Sequence, residues 1–171
     1  VQTFDDPESL GLYTIIDANA DGRTWRANEY AVRCTYNADK ASDDWLITPP
    51  LSLKADRQYI FSFKAAATRP DVEECFEAGV GASENPADFR IVIPKTRVSD
   101  NRFKEYTSIV TVRDDGAWRF GIHAVSEAGR VALYADSIVV REGAMLAAPD
   151  SVTDFVVTPA PLGQLSATVS M

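Results

Sequence analysis

Positive charge and long apolar runs are scarce in this sequence. Its 17 Lys and Arg residues are outnumbered by 25 Asp and Glu residues, which gives a net charge of −8, and no basic cluster is interleaved with aromatic residues. A nucleic-acid partner is therefore disfavoured. No stretch approaches the roughly 18 consecutive apolar residues of a membrane span. The chain opens at Val1 without the charged and apolar regions of a signal peptide, so we expect an exported protein to have lost its signal already.

Cysteine and histidine are also scarce, which restricts zinc, redox and acid–base chemistry. Cys34 and Cys75 lack metal-ligand spacing, and alternation places them on an apolar and a polar face. Two free thiols are favoured, and a disulfide remains the alternative if the Cα atoms lie within about 7 Å. His123 is the only histidine, so a Ser–His–Asp mechanism would need it, with Ser126 and Asp136 nearby. No strained nucleophile turn surrounds any serine, and we predict no catalytic residue.

Three pairs of adjacent carboxylates do not change that prediction. Glycosidase chemistry needs two carboxyl groups facing each other across a cleft, whereas adjacent residues on a strand point to opposite faces. We expect turn or edge positions for these residues, with Glu74 turned inward and hydrogen-bonded. The pairs are Asp43/Asp44, Glu73/Glu74 and Asp114/Asp115.

Alternation of apolar and polar residues with period two dominates the chain and predicts half-buried strands. It is clearest around Phe61 and Phe120, and further strands are predicted near residues 12–16, 29–36, 45–48, 74–81, 89–93, 105–113 and 131–141. Many short strands without intervening helices predict an all-β, antiparallel jelly-roll sandwich. The predicted core consists of Tyr59, Phe61, Phe63, Phe76, Val80, Trp118, Phe120 and Ile122.

The composition changes near residue 143, which predicts a domain boundary. Residues 1–142 form the predicted sandwich and residues 143–150 a linker rich in small residues. Residues 151–171 contain two strand-like runs around a Pro/Gly turn. Because an isolated hairpin is marginally stable and has open edges, we expect it to fold back on residues 1–142 or to pair with a second copy in preference to disorder, and any dimer to be mediated by this tail.

The segment DDWLITPPLSL, Asp43 to Leu53, resembles the cleaved-adhesin or choice-of-anchor J family of MAM-like jelly rolls. Other phrases of the family pattern recur in order across residues 1–142, at Phe4-Asp5, Asp17 to Trp25, Tyr59 to Ala65, Glu74 to Gly81, Gly121 to Ser126 and Leu133 to Val140. The tail, residues 151–171, resembles the start of a fibronectin type III domain.

The resemblance implies a galactose-binding or MAM-like fold and a non-catalytic, secreted or cell-surface module for adhesion or ligand binding. Its expected partners are a host or cell-surface glycan or protein and the neighbouring domains of a longer chain. The alternative is an ancillary module that spaces or docks a secreted peptidase or glycoside hydrolase. A fold alone does not decide between these functions.

The segment IIDANADGRTW places Asp17, Asn19 and Asp21 on alternate positions before Gly22. An EF-hand would need a bidentate Glu at the twelfth loop position, which is Asn28 here. Two interpretations remain: a turn whose Asx side chains accept backbone N–H groups, or a structural calcium site of Asp17, Asn19, Asp21 and Glu29.

A second calcium site is implied by the resemblance, with Asp5 near the first strand and Asp136 near the last as ligands. The alternative is that both are solvated carboxylates, which is the usual state of an exposed Asp.

Aromatic residues provide the candidate ligand contacts. Trp25 lies beside the polar loop and is expected to be partly exposed, with Tyr13, Tyr30 and Tyr134 as weaker candidates. Trp45 and Trp118 lie in apolar patterns that are typical of core residues.

Overall fold

The computed structural model describes residues 4–143, within which eleven strands and two short 3-10 helices follow one another. The helices are Pro7–Leu12 and Pro86–Asp88. The strands are β1 (Thr14–Asp17), β2 (Trp25–Asn28), β3 (Ala31–Thr35), β4 (Asp44–Ile47), β5 (Leu51–Leu53), β6 (Gln58–Ala67), β7 (Glu74–Gly81), β8 (Arg90–Val98), β9 (Lys104–Thr111), β10 (Gly116–Ala124) and β11 (Ala132–Glu142). The expected linker beyond Gly143, the fibronectin-like tail and the tail-mediated dimer lie outside the described residues.

The strands form two antiparallel sheets that pack face to face. The first sheet has the order β1-β4-β10-β7-β8, with β5 pairing to β10, and the second has the order β2-β3-β11-β6-β9. Every pairing is antiparallel and most join strands distant in sequence. The predicted all-β jelly-roll sandwich is therefore confirmed.

The core lies between the sheets, where the inward residues of the alternating strands meet. Phe61 of β6 packs on Phe120 of β10 with ring centroids 4.8 Å apart, and Phe63 packs edge-on against Phe76 at 5.0 Å. The predicted core residues are buried, with one exception. Trp118 is only half-buried, because β10 is paired there with the short β5 at one end of the sandwich.

The predicted strand positions agree with the structure best where the alternation is long. β7 occupies residues 74–81 as predicted, while the short strands β2 and β5 were missed. β8 continues through Pro94 to Val98, beyond its predicted end. Proline is tolerated there because β8 is an edge strand, where a missing N–H need not break a ladder hydrogen bond.

The cysteines do not form a disulfide. Both thiols are free and buried. Cys34 lies in the core, whereas Cys75 shares the outer face of β7 with Glu77, so the expected pair of free thiols is confirmed. Among the described residues, no helix is long and apolar enough to cross a membrane.

Candidate functional site

The Asp17 loop forms a turn closed by its own side chains. Asp17 Oδ2 accepts the N–H of Gly22 at 2.8 Å, and Asn19 Oδ1 accepts the N–H of Asp21 at 3.0 Å. Asp21 Oδ1 accepts the N–H of Arg23 at 2.7 Å. These contacts are those expected of a capped Asx turn. They use three oxygens that a calcium ion would otherwise need.

The other proposed calcium ligands lie elsewhere. Glu29 sits in the turn between β2 and β3, at the opposite end of β2 from the loop, and a strand rises about 3.3 Å per residue. Asp136 lies on the outer face of β11, where its Oδ2 accepts the hydroxyl of Ser137 at 2.8 Å. Its Oδ1 is buried and has no hydrogen-bond partner. Asp5 follows the buried Phe4 ahead of the first 3-10 helix.

The expectation that Trp25 is exposed is wrong. Its side chain is buried, and its Nε1 donates to the carbonyl of Asp44 at 3.0 Å. The polar loop before Trp25 suggested exposure, but period-two alternation on the unpredicted β2 turns the ring into the core opposite Cys34. Tyr30 is exposed at the β2–β3 turn, whereas Tyr13 is half-buried against Phe4. Burial raises the pKa of Tyr13.

His123 is hydrogen-bonded on the outer face of the first sheet. Its Nε2 lies 2.7 Å from Asp43 Oδ1 and its Nδ1 lies 2.9 Å from Glu77 Oε1. The ring stacks on Trp45 at a centroid distance of 4.3 Å. Ser126 is used elsewhere, because its hydroxyl accepts the N–H of Cys75. The arrangement is that of a sheet histidine, and no nucleophile of the described residues contacts it.

Glycines allow an aromatic ring to cover this outer face. Phe89 lies against Trp45 at 5.0 Å and above Gly79, Gly81 and Gly121. A Cβ at Gly121 would lie 2.9 Å from both rings. We call Trp45, His123, Phe89 and these three glycines the covered face. Trp45 is buried here as predicted, but outside the main core.

The carboxylate pairs differ from their expected edge positions in one case. Asp44 is fully buried between the sheets, because it begins β4 in the interior of the first sheet. Its Oδ2 accepts the thiol of Cys34 at 3.5 Å, while the Thr24 hydroxyl faces the carboxyl without a well-formed hydrogen bond. Burial raises the pKa of Asp44 to about 6. Glu74 points inward as predicted, and its Oε1 accepts the N–H of Val131 at 2.8 Å.

One cleft opens at the end of the sandwich beside Trp118. It has a volume of about 620 Å³ and is lined by Val80, Asp88, Arg90, Thr111, Arg113 and Trp118 among others. Its two arginines already have partners. Arg90 Nη2 donates to the Thr111 carbonyl at 2.8 Å, and Arg113 pairs with Asp114 at 3.0 Å.

A second cleft, which we call the arginine cleft, opens on the outer side of the second sheet. It has a volume of about 550 Å³ and is lined by two tyrosines, two arginines and several smaller polar groups. Tyr36 is exposed and Tyr134 half-buried. The main polar residues that line it are Arg23, Arg33, Asn37, Asp39, Thr35 and Thr68.

Strand register explains the arrangement of the arginine cleft. Arg26 of β2 lies directly opposite Arg33 of β3, and Arg33 lies opposite Tyr134 of β11. Ala66 of β6 continues this row as a small, buried residue. Residues opposite one another in an antiparallel sheet share a face, so Arg26, Arg33 and Tyr134 form one row across three strands.

Sequence reasoning identified Tyr134 in this cleft but missed Arg33 and Tyr36. Alternation of Val32, Arg33 and Cys34 already indicated that Arg33 points outward. The missing information was the pairing of β3 with β11, which lies nearly a hundred residues further along the chain.

Comparisons with known proteins extend to structures only. The sequence matches neither a protein-family model nor a curated protein. The structure is similar to the K3 cleaved adhesin domain of Lys-gingipain from Porphyromonas gingivalis W83, with a TM-score of 0.62 and 15% identity over 75% of this chain and 89% of that domain.

Two carbohydrate-binding domains have similar folds. A CBM4 structure gives a TM-score of 0.59 at 15% identity, over 83% of this chain and 95% of the other. The N-terminal cellulose-binding domain of β-1,4-glucanase C from Cellulomonas fimi gives 0.56 at 13% identity, over 85% of this chain and 97% of the other. At these identities the similarity establishes the fold.

Proposed function

We propose that this protein is a non-catalytic binding module that recognises a carbohydrate through the arginine cleft. The observation that carries the proposal is the pair of accessible tyrosines, Tyr36 and Tyr134, beside amide, hydroxyl, carboxyl and guanidinium groups in one cleft. Aromatic rings offer an apolar face to the C–H groups of a sugar, while a few placed polar groups fix its hydroxyls. The similar folds of cellulose-binding and adhesin domains support this choice of ligand class.

A binding role without catalysis is supported by the state of the chain's one histidine. Both ring nitrogens of His123 face carboxylate oxygens, and Trp45 covers one side of the ring. A general base must reach the proton it removes. His123 is held instead within a hydrogen-bonded cluster, and Ser126 is bound to the backbone of Cys75.

We propose an exported or cell-surface location and neighbouring domains in a longer chain. The support is that the similar adhesin and cellulose-binding folds are each domains of larger proteins. In an adhesion role, the arginine cleft is also the proposed contact with a cell-surface glycan or protein.

Carbohydrate binding by the 171-residue chain, measured on a glycan array and by calorimetry, tests the function. Tyr134→Ala should weaken binding by about fivefold, since one aromatic contact contributes on the order of 1 kcal/mol. Tyr30→Ala is the matched control, because Tyr30 is exposed outside both clefts and should leave affinity unchanged. Loss of binding in Trp118→Ala instead would move the site to the other cleft, and no glycan binding at all would refute the function.

A structural calcium ion is also part of this proposal. A buried carboxylate oxygen without a partner needs an explanation, and a bound ion or water is one, so Asp136 Oδ1 supports an ion at this position. Carboxylates fit the oxygen preference of calcium. We propose Asp136, together with Asp5, as the first choice, and the turn of Asp17, Asn19 and Asp21 as the second because its oxygens already accept backbone N–H groups.

Melting curves in millimolar calcium and in chelator test the ion. An ion that binds only the folded state raises the melting temperature. Asp136→Asn should abolish that rise while Asp21→Asn should preserve it, and the opposite result would assign the ion to the Asp17 loop. Superimposable curves for the unmodified protein would show that the Asp17 loop is only a capped turn.

A further inference from the structure

We propose that the arginine cleft selects an oligosaccharide that carries a carboxylate, such as a uronic acid or a sialic acid. This inference rests on the proposed carbohydrate-binding function and specifies its ligand class. It derives from the guanidinium groups of the cleft, which make no ion pair with any carboxylate of the described residues.

Arg33 is the central residue of this inference. Its Nε is buried, yet that N–H has no hydrogen-bond partner in residues 4–143. Buried donors in folded proteins are nearly always paired, so an unpaired one calls for a specific explanation. Arg33 also lines the cleft, so a ligand oxygen there can contact its guanidinium group, which makes no ion pair with the described residues.

Arg26 adds a second positive charge directly beside Arg33. Like charges opposite one another on a sheet are destabilising. The pair is not offset by carboxylates, since neither side chain makes an ion pair within the described part of the chain. Arg26 Nη2 instead donates to the carbonyl of Gly22 at 3.2 Å. Arg23, the other arginine lining the cleft, also has no ion pair among the described residues.

Most other arginines of this acidic protein are used differently. Arg57, Arg102 and Arg130 each pair with a nearby carboxylate. In a chain of net charge −8, such partners are plentiful. Asp39 also lines the arginine cleft, but its carboxylate lies outside ion-pair distance of both lining arginines. A local group of unpaired guanidiniums on an acidic protein therefore favours an anionic ligand at this point.

The neighbouring groups favour a sugar acid over a simple anion. A planar guanidinium matches a carboxylate through two parallel N–H···O bonds, which gives geometric selectivity as well as attraction. Tyr134 lies directly beside Arg33 in the sheet, and Tyr36 stands at the exposed rim. An inorganic anion would use the arginines and leave both aromatic rings without a contact.

Matched acidic and neutral sugars test the inference. We would measure the Kd of the 171-residue chain by calorimetry for trigalacturonic acid against its methyl ester, and for 3′-sialyllactose against lactose. At least one acid should bind tenfold or more tightly than its neutral partner, and the preference should shrink in high salt, because exposed charges are screened. Arg33→Gln should remove the preference for the acid, whereas Arg33→Lys should retain only part of it.

Arg141→Gln is the matched control. Arg141 lies on the same outer sheet face, but opposite Ile60 at the far end of β11, and makes no ion pair among the described residues. Its removal changes the net charge as Arg33→Gln does and should leave the acid preference intact. Circular dichroism melting curves for each variant would confirm that Arg33→Gln is folded.

Four other results would overturn the inference. Acidic and neutral sugars that bind equally, both weakened by Tyr134→Ala, would leave carbohydrate binding standing and remove the acid preference. An acid preference that survives Arg33→Gln would place the anion elsewhere. Inorganic phosphate that binds as tightly as the acids, with no effect of Tyr134→Ala, would indicate a simple anion site. Failure of all four sugars, with other neutral glycans bound, would refute only the acid preference.

Discussion

The outer faces of the two sheets both carry an aromatic residue beside a cationic or titratable one, yet they differ in what surrounds them. On the covered face, His123 lies between Asp43 and Glu77, stacks on Trp45 and shares it with Phe89. On the second sheet, Arg33 lies beside Tyr134 with a buried, unpartnered Nε.

This difference separates a structural cluster from a candidate binding site. Polar groups that find partners within the chain stabilise the fold, and a ligand would have to displace those partners. Polar groups left unpaired cost stability unless a ligand satisfies them. Residue type alone would have favoured the covered face, where a tryptophan and a histidine lie beside the carboxylates of Asp43 and Glu77. The state of the hydrogen bonds favours the arginine cleft.

The largest expected effect comes from truncating the aromatic ring of each face. Trp45→Ala should lower the free energy of unfolding by about 3–5 kcal/mol, because the ring is buried under Phe89 and His123. Tyr134→Ala is the comparison and should cost less than about 1 kcal/mol, since the ring faces an open cleft. Urea unfolding of both variants measures the two values, and equal losses would remove the distinction between the faces.

A smaller effect is expected where the covered face needs a glycine. Gly121→Ala places a Cβ 2.9 Å from the rings of Phe89 and Trp45 and should cost about 1–3 kcal/mol through overpacking. Gly11→Ala, where a Cβ meets nothing within 4 Å, is the control. Thermal unfolding would show the contrast, and a neutral Gly121→Ala would mean that Phe89 does not lie on the glycines as described.

The interior offers a third case, a carboxyl group buried between the two sheets. The pKa of Asp44 is raised to about 6 from 3.8, so the folded state binds this proton more tightly than the unfolded chain. The contribution of Asp44 to the free energy of unfolding is therefore greatest below pH 3.8. It falls as the pH rises from 3.8 to about 6 and is constant above that value. Asp44→Asn should gain about 2 kcal/mol relative to the unmodified protein between pH 4.5 and 7.5.

Chemical denaturation of both proteins across that pH range measures this relative gain. Asp114→Asn is the control, because Asp114 is exposed and should show no such gain. A constant difference between Asp44→Asn and the unmodified protein would show that the carboxyl is ionised in both states throughout.

The smallest effect concerns the arginine pair itself. Arg26→Gln should raise the free energy of unfolding by up to about 1 kcal/mol at low salt, because it removes the like charge opposite Arg33. The gain should vanish at about 0.5 M salt, because the Debye length is then only a few ångströms and the two charges are screened from each other. Denaturation at two salt concentrations tests it. A loss of stability would show that the described residues balance the two charges after all.

Much of the fold could be predicted because alternation is a local property. Phe61, Phe120 and Ile122 could be assigned to the core from their own neighbours in sequence, and the turn after Asp17 from its Asx residues. The short strands β2 and β5 could not, since β5 has only three residues and β2 follows directly on a polar loop. That omission led directly to the wrong exposure of Trp25, which begins β2.

The residues of the candidate site were harder to predict from local sequence patterns than the core. Tyr134 was named only as one weak candidate among several, and Arg33 and Tyr36 were not named. A sequence contains many surface tyrosines and arginines. Whether one of them belongs to a binding site depends on which side chains lie beside it in the folded structure.

The sequence by itself determined which residues of each strand share a face, because side chains alternate along an extended backbone whatever the strand pairs with. Only the tertiary structure decided which outward residues meet. Strand pairing and register placed His123 between two carboxylates under a covered aromatic surface. They also aligned Arg26, Arg33 and Tyr134 without a counter-charge. Those contacts join distant segments and follow from packing the core as a whole, so no local pattern encodes them.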